Sequence, residues 1–280
     1  MHSSKFTEND PFAPIKYSYM IEDILYTQQT DYSFIKILKS SYFGKMLVLD
    51  DVVQLTELDE HFYHEMLIHV PLHVHPSPAE VLIIGGGDGG ALREALKHKN
   101  VKNVTLVEID ESVIQVSKKF LPTLSTGFSD ARTHIVIMDG NEFLSTASDK
   151  FDVIAVDSTD PVGAAKSLLT DQFFSNAHSA LKQDGIFVAQ TESLHFHLQF
   201  TRDIQHRLAQ KFNFVDLYTA PLATYAGNWW AFSIASKKYA PRETVKRCEV
   251  TTRYYAEDVH RQAFLPQSLY SKMLIEREEH

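Results

Sequence analysis

The spacing of apolar residues changes character near Pro76-Ser77-Pro78. Before these prolines, short apolar runs at 24–26, 34–38 and 46–51 alternate with turn signals, which predicts a small antiparallel sheet. A helix follows, with Thr56 and Asp59 suited to its start and Tyr63, Met66, Leu67 and Val70 spaced along one apolar face. Beyond the prolines, strand patterns at 81–84, 104–109, 134–138, 153–157 and 186–190 alternate with helical patterns that include 111–120, 172–181 and 196–212. That alternation predicts an α/β fold with a mostly parallel sheet and right-handed crossovers. Two late segments, 215–219 and 230–235, are placed to close the sheet. The expected division is residues 1–75, a β-sheet region with its connecting helix, and residues 76–280, a Rossmann-like catalytic region.

The first strand of the second region runs into Gly85-Gly86-Gly87-Asp88-Gly89-Gly90 and then a helical pattern from Leu92. Strand, glycine turn and helix start form the nucleotide-binding corner of an α/β sheet, and Gly85, Gly87 and Gly90 match G-x-G-x-x-G. In a dinucleotide site such a turn offers backbone N–H groups and a positive helix end to a pyrophosphate. Asp88 puts a carboxylate inside the turn, which repels phosphate in a dry site. The chemistry suits a ligand with a positive charge and no phosphate, as adenosyl sulfonium compounds are.

Ligands of such sheets sit at the carboxyl ends of the strands. Here those ends carry Glu108, Asp139-Gly140, Asp157 and Asp160. Glu108 stands about twenty residues past the glycine turn, where an acid hydrogen-bonds ribose hydroxyls. Asp139 can accept from an adenine amino group. Taken singly, each acid reads as a helix cap or turn residue, and Asp110 and Asp171 are expected to be just that. Taken together, Asp88, Glu108, Asp139, Asp157 and Asp160 around one crevice would repel one another unless a polycation binds there.

Composition narrows the partners. A net charge of −9, a pI near 5.8 and no Lys/Arg stripe argue against nucleic acid. The single cysteine, Cys248, leaves no internal disulfide and fits a reducing compartment. Residues 1–10 lack the apolar stretch of a secretory signal. No apolar run approaches the roughly 20 residues of a membrane span. A cytoplasmic protein acting on small molecules, with no membrane partner, is expected.

Two patterns are set aside. His64-Glu65-Met66-Leu67-Ile68-His69 resembles the zinc-protease H-E-x-x-H but is one residue too long. An i, i+5 pair lies about 140° apart around a helix, so its imidazoles cannot share a metal on one face. The pairs His73/His75 and His195/His197 lack partners at ligand spacing, and no metal is expected. Trp229-Trp230 is expected to face opposite ways from a strand, with one ring in the core.

Read along the whole chain, the motifs resemble those of the spermidine synthases, a family of polyamine aminopropyltransferases. The resemblance rests on Ile83-Ile84-Gly85-Gly86-Gly87-Asp88-Gly89-Gly90 with Leu92-Arg93-Glu94, and on Leu49-Asp50 with Val53-Gln54-Leu55-Thr56-Glu57 and Asp59-Glu60. It continues through Tyr63-His64-Glu65-Met66, Val107-Glu108-Ile109-Asp110 and Asp157-Ser158-Thr159-Asp160-Pro161-Val162-Gly163. Gln190 with Glu192-Ser193, Thr224-Tyr225 with Gly227, and Arg253-Tyr254-Tyr255 with His260 and Ala263-Phe264 complete it in order.

The resemblance implies a methyltransferase-type Rossmann-like sheet behind a small N-terminal antiparallel domain. It implies transfer of an aminopropyl group from decarboxylated S-adenosylmethionine, a co-substrate and not a cofactor, to putrescine. Spermidine and methylthioadenosine are the products. By the same resemblance Asp157 is the base and Tyr63 helps hold the amine; Asp88 and Asp160 hold the donor's propylamine. Glu108 holds the ribose, Asp139 and Gly140 the adenine, Gln54 and His64 the rest of the donor. Tyr225 and Gln190 line the acceptor channel, and a homodimer forms through the N-terminal sheet. The chain departs from the family pattern at Ser33, where a nucleoside-contacting glutamine is usual, and at Leu58, Ala164-Ala165-Lys166, Ala223 and Ala226. A methyltransferase of the same fold, an aminopropyltransferase with another acceptor and a non-catalytic polyamine binder remain the alternatives.

Overall fold

The computed structural model describes residues 4–10, 13–159 and 163–275. It opens with a hairpin absent from the apolar runs: β1 (Ser4–Asn9) pairs antiparallel with β2 (Lys16–Ile21). Phe6, Tyr19 and Ile21 turn inward onto Leu38, Met46, Val48 and Val53. Single apolar residues alternating with polar ones suffice here because only one face is buried.

Strands β3 (Asp23–Gln29), β4 (Phe34–Ser40), β5 (Gly44–Leu49) and β6 (Val52–Thr56) follow as an antiparallel meander. The expected strand at 46–51 in fact reverses at Asp50 and Asp51, whose φ angles are 51° and 66°. Two left-handed residues match the twist of a hairpin, and short carboxylate side chains tolerate that conformation. Asp50 Oδ1 accepts the Phe34 N–H at 2.8 Å and so ties the turn to β4.

Helix α1 (Glu60–Val74) follows. A single apolar face was expected, but every residue of it except Phe62 is buried. The helix lies inside the main core, against the sheet strands on one side and the next helix on another. Several of its polar residues are therefore paired internally. Glu65 accepts the backbone N–H groups of Arg253, Tyr254 and Tyr255, each at 2.8 Å. Asp59 flanks the helix start without capping it. Its oxygens accept instead from the Thr56 hydroxyl at 2.8 Å, the Thr224 N–H at 2.9 Å and the Thr224 hydroxyl.

The second region alternates β7 (Glu80–Gly85), α2 (Gly90–Leu96), β8 (Asn103–Glu108), α3 (Glu111–Phe120), β9 (Thr133–Ile137), α4 (Gly140–Ser145) and β10 (Phe151–Asp157). It continues with α5 (Asp171–Ala180), β11 (Leu181–Ser193), α6 (Leu198–Ala209), β12 (Phe214–Pro221) and β13 (Trp229–Ser236). The seven strands lie in the order β12-β13-β11-β10-β7-β8-β9. All neighbours are parallel except β13, which inserts antiparallel between β11 and β12. The expected α/β sheet with a small N-terminal antiparallel region is what forms. Asp110 caps α3, accepting the Ser112 N–H at 2.9 Å. For α5 the cap is Thr170, which accepts from Phe173 at 3.1 Å, and Asp171 is the first helical residue instead. Trp230 packs in the main core while Trp229 faces a second cluster. Among the described residues no helix is long and apolar enough to cross a membrane.

Candidate active site

Strand β7 has β8 on one side and β10 on the other, so the crossover direction switches between β7 and β10. A crevice at the carboxyl ends of such a pair is the ligand site of open α/β sheets. A cavity of about 390 Å³ opens there, lined by Gln54, Tyr63, His64, Gly85, Gly87, Asp88, Glu108, Asp139, Gly140, Asp157 and Tyr225. Gln190 lines an adjoining hollow that shares Gln54, Tyr63 and Tyr225 with the cavity and adds Glu8, Asp10, Glu192, His197 and Trp230. The predicted site residues thus converge from both regions of the chain. Asp160 lies outside the described residues.

The glycines of the loop answer to backbone and side-chain crowding. Gly85 has φ +82°, and a Cβ there would stand 2.1 Å from the Asp157 carbonyl. That closeness lets the Gly86 N–H donate to the same carbonyl at 2.9 Å, stitching the loop to the end of β10. Gly90 does not line the cavity; a Cβ there would fall 2.2–2.5 Å from three atoms of the His64 ring. Gly90→Ala is expected to overpack this contact, costing about 1–3 kcal/mol of stability. A drop in the thermal midpoint together with weaker nucleoside binding would register the displaced imidazole.

His64 joins two acids. Its Nδ1 lies 2.8 Å from Glu60 Oε2 and its Nε2 3.2 Å from Asp88 Oδ1. Burial opposes charge on the ring, but Asp88 and Glu60 outweigh it and hold the imidazole well above its usual range. Glu60 is held in turn by Arg93 Nη2 at 2.8 Å. Asp88 also accepts the Gly90 N–H at 2.7 Å, so the turn-residue reading and the charged reading are both true of it. Against burial, His64 keeps the Asp88 carboxyl low.

Asp157 sits at the tip of β10, opposite Gly85. The Tyr63 hydroxyl donates to Asp157 Oδ1 at 2.8 Å. The other oxygen, Oδ2, is buried with no hydrogen-bond partner among the described residues. Burial first, then the charge of Asp88, raises the Asp157 carboxyl from 3.8 to about 6. Burial and Asp157 keep the Tyr63 phenol well above its usual range, so it remains a donor.

Glu108 accepts the Gly87 N–H at 3.1 Å and the Asp110 N–H at 3.0 Å. Burial exceeds the effect of these donors and raises its carboxyl from 4.5 to about 7. A carboxyl raised on folding favours the fold fully below its unfolded value, and that contribution is lost as pH climbs through the folded value. Asp157 and His64, also raised, act in the same direction. Histidines held low by burial, His61, His73, His75, His98, His178 and His260, act oppositely, so the expectation is a difference: between about pH 4.5 and pH 7 the Glu108→Gln thermal midpoint should fall less, or rise more, with pH than that of the wild type. The Glu108 share is at most about 3 kcal/mol. An unchanged slope in the variant would show that Glu108 titrates alike in both states.

Asp139 is the N-cap of α4, accepting from Asn141 at 2.8 Å and Glu142 at 3.0 Å, while its Oδ2 takes the Ser167 hydroxyl at 2.8 Å. On the far wall the Tyr225 hydroxyl donates to the Gln54 carbonyl, and the Tyr225 ring meets Tyr63 edge-on with centroids 5.9 Å apart. Gln190 Nε2 donates to the Ser158 carbonyl at 3.2 Å and to Glu192 Oε1 at 3.3 Å. Here the pairing of β11 with β13 shifts register between Gln190 and Ser193, and Glu192 takes φ +67°. Such a bulge re-aims side chains at a functional rim.

Sequence reasoning missed Glu60 and Arg93, which brace His64, and missed Glu8, Asp10, Glu192 and His197 on the far side. His197 Nε2 lies 3.2 Å from Asp10 Oδ1, joining the N-terminal hairpin to the segment before α6. The alternation in β1 and β2 was the signal available for this wall. Ser33, the departure from the family glutamine, lines the cavity with its hydroxyl buried and without a hydrogen-bond partner among the described residues.

A seven-stranded sheet with one antiparallel strand inserted near its edge, carrying an acidic crevice at the glycine turn, is of the methyltransferase-like class. The comparisons are narrower. A family model described as the spermine/spermidine synthase domain matches residues 60–247, and one described as the spermidine synthase tetramerisation domain matches residues 5–57. The chain is 54% identical over 274 residues to polyamine aminopropyltransferase 1 of Aquifex aeolicus, covering 98% of each. It is 51% identical to a polyamine aminopropyltransferase of Hydrogenobaculum, covering 96% of each. Among solved structures, a spermidine synthase in complex with the transition-state analogue AdoDATO aligns with TM-score 0.93 and 35% identity, over 97% of this chain and 94% of that one. The spermidine synthase of Thermotoga maritima aligns over the same shares with TM-score 0.90 and 34% identity. This chain belongs to the spermidine synthase family of polyamine aminopropyltransferases, and it is a transferase.

Proposed function

We propose that the protein transfers the aminopropyl group of decarboxylated S-adenosylmethionine to putrescine, giving spermidine and methylthioadenosine. The observation that carries this reading is the Asp157 carboxylate: one oxygen held by Tyr63, the other buried and unpaired. A buried carboxylate with one oxygen unpaired has a strong demand for a cation, and an alkylammonium meets it. The solved relative's AdoDATO complex supports this donor.

In the proposed reaction the acceptor nitrogen attacks the carbon next to the sulfonium. The N–C bond forms, the C–S bond breaks, and the positive charge passes from sulfur to nitrogen while a proton leaves nitrogen for Asp157. A carboxyl raised to about 6 is a stronger base than an exposed one. The sulfonium is already a good leaving group, so alignment supplies much of the acceleration. Glu108 takes the ribose hydroxyls, Asp139 and Gly140 the adenine, and Gln54 with His64 the remainder of the donor. Asp88 takes the donor's terminal ammonium, a task the family resemblance also gives to Asp160. A donor that keeps its carboxylate meets Asp88 unfavourably, which discriminates against intact S-adenosylmethionine. Gln190 and Tyr225 guide the acceptor.

The assay incubates the protein with each adenosyl donor and a panel of diamines, then identifies the nucleoside product by mass. Methylthioadenosine with putrescine consumed supports the proposal; adenosylhomocysteine would mean methyl transfer, and no product would leave a binder. The N-terminal sheet is proposed to mediate self-association, and light scattering distinguishes the expected homodimer from a tetramer. A cytoplasmic setting is part of the proposal, and the lone Cys248 is compatible with a reducing compartment.

A further inference from the structure

Farther along α1 lies a second group of imidazoles, two buried and one half-buried, that the reaction does not use. His69 and His73 stand one helical turn apart, His98 follows α2, and one nitrogen from each ring lies within 4.8 Å of the other two. The remaining nitrogens of the two helix histidines are engaged. His69 Nε2 lies 2.9 Å from Glu94 Oε2, and His73 Nδ1 lies 2.7 Å from the His69 carbonyl. An imidazole whose far N–H is held by a carboxylate or a backbone carbonyl has its tautomer fixed and its lone pair turned the other way; metal-bound histidines use this arrangement. Glu94 is anchored for the task by Arg93 Nε at 2.7 Å and Lys97 Nζ at 2.6 Å. The His73 ring is held by stacking on Tyr255, with centroids 4.8 Å apart.

With His69 Nε2 as donor to Glu94, His69 Nδ1 is an acceptor, and it lies 2.8 Å from His98 Nε2. The contact is a hydrogen bond donated by His98. Once the His98 hydrogen resides on its other nitrogen, three ring nitrogens within 4.8 Å of one another are available to a single ion. We propose that His69, His73 and His98 form a three-imidazole site for a borderline divalent transition-metal ion, zinc above all, with a fourth position for water. Three nitrogens about 2.0–2.1 Å from a tetrahedral ion lie about 3.3 Å apart. The observed cluster brackets that spacing. Imidazole donors select zinc and its transition-metal neighbours over magnesium or calcium, which prefer oxygen.

The test loads chelator-treated full-length protein with Zn²⁺, desalts it and measures retained metal, with Co²⁺ as a spectroscopic probe of tetrahedral nitrogen ligation. About one ion per chain is expected, together with a raised thermal midpoint. His98→Asn, at a half-buried ring, should abolish retention, and Glu94→Gln should weaken affinity by about 10–100-fold. Two other groups have similar spacing, His64 with Asp88 and Asp157, and His75 with Asp152 and Asp184. Asp184→Asn should therefore retain the ion, and retained metal should leave the affinity for methylthioadenosine unchanged. Circular dichroism confirms that each variant is folded; if His98→Asn is not, His73→Gln replaces it. No retained metal in the wild type, or equal retention by folded wild type and His98→Asn, would overturn the proposal and leave the cluster a hydrogen-bond network.

Discussion

Asp157→Asn is expected to cut turnover by about 10²–10⁴, the range of a positioned general base, while donor binding stays near normal. The amide keeps the size of the side chain and can still accept from Tyr63, which donates to Oδ1 at 2.8 Å in the wild type. It cannot take a proton. Raising the pH should partly rescue the variant, because more of the amine then arrives deprotonated. In the wild type the opposite limb matters: Asp157 rises to about 6, so activity should fall below that pH as the carboxyl becomes protonated. Loss of this acid limb in the variant is the signature that separates a base from a merely structural carboxylate. Single-turnover rates at saturating donor and amine measure the effect. Normal turnover at neutral pH would remove Asp157 from the role.

Asp88→Asn should act on the donor instead. The fold is expected to survive, since the turn requires its glycines and the amide can still accept the Gly90 N–H now bonded at 2.7 Å. A buried ammonium that loses its carboxylate forfeits at least a few kcal/mol, so affinity for decarboxylated S-adenosylmethionine should drop by about 10²-fold or more. Methylthioadenosine, which has no such ammonium, should bind almost as before. Relative tolerance for intact S-adenosylmethionine should rise. Calorimetric titration with the three nucleosides reads all of this. Equal losses for all three would mean that Asp88 matters only through His64, whose Nε2 lies 3.2 Å from it.

How legible each part was follows from what was buried. The central strands β7 and β10 are largely buried and apolar, and the expected strands at 81–84 and 153–157 fall inside them. The 111–120 helix matches α3, which has one buried side and a capping acid. The β1–β2 hairpin was missed because β1 buries only Phe6. Helix α1 shows one apolar face in its spacing, but its polar residues are buried as well. Glu65 and His64 are buried, and their partners stand as far away in sequence as Tyr255 and Asp88. The acids of the crevice were legible because strand ends announce themselves. Glu60 and Arg93 were not, since nothing local marks a residue whose task is to hold another.

One small contact has a wide consequence for how this protein can be recombined. Asp59 binds Thr56 and Thr224, the Tyr19 hydroxyl donates to the Thr224 carbonyl at 2.8 Å, and the adjacent Tyr225 reaches the Gln54 carbonyl. Three stretches of chain, far apart in sequence, thus close on a single threonine. A chimaera that borrows its first 57 residues from a relative inherits one half of this latch and must find the other half waiting. Exchange across that junction is constrained by Tyr19, Thr56 and Thr224 as a set, so the front sheet and the catalytic sheet are best exchanged together.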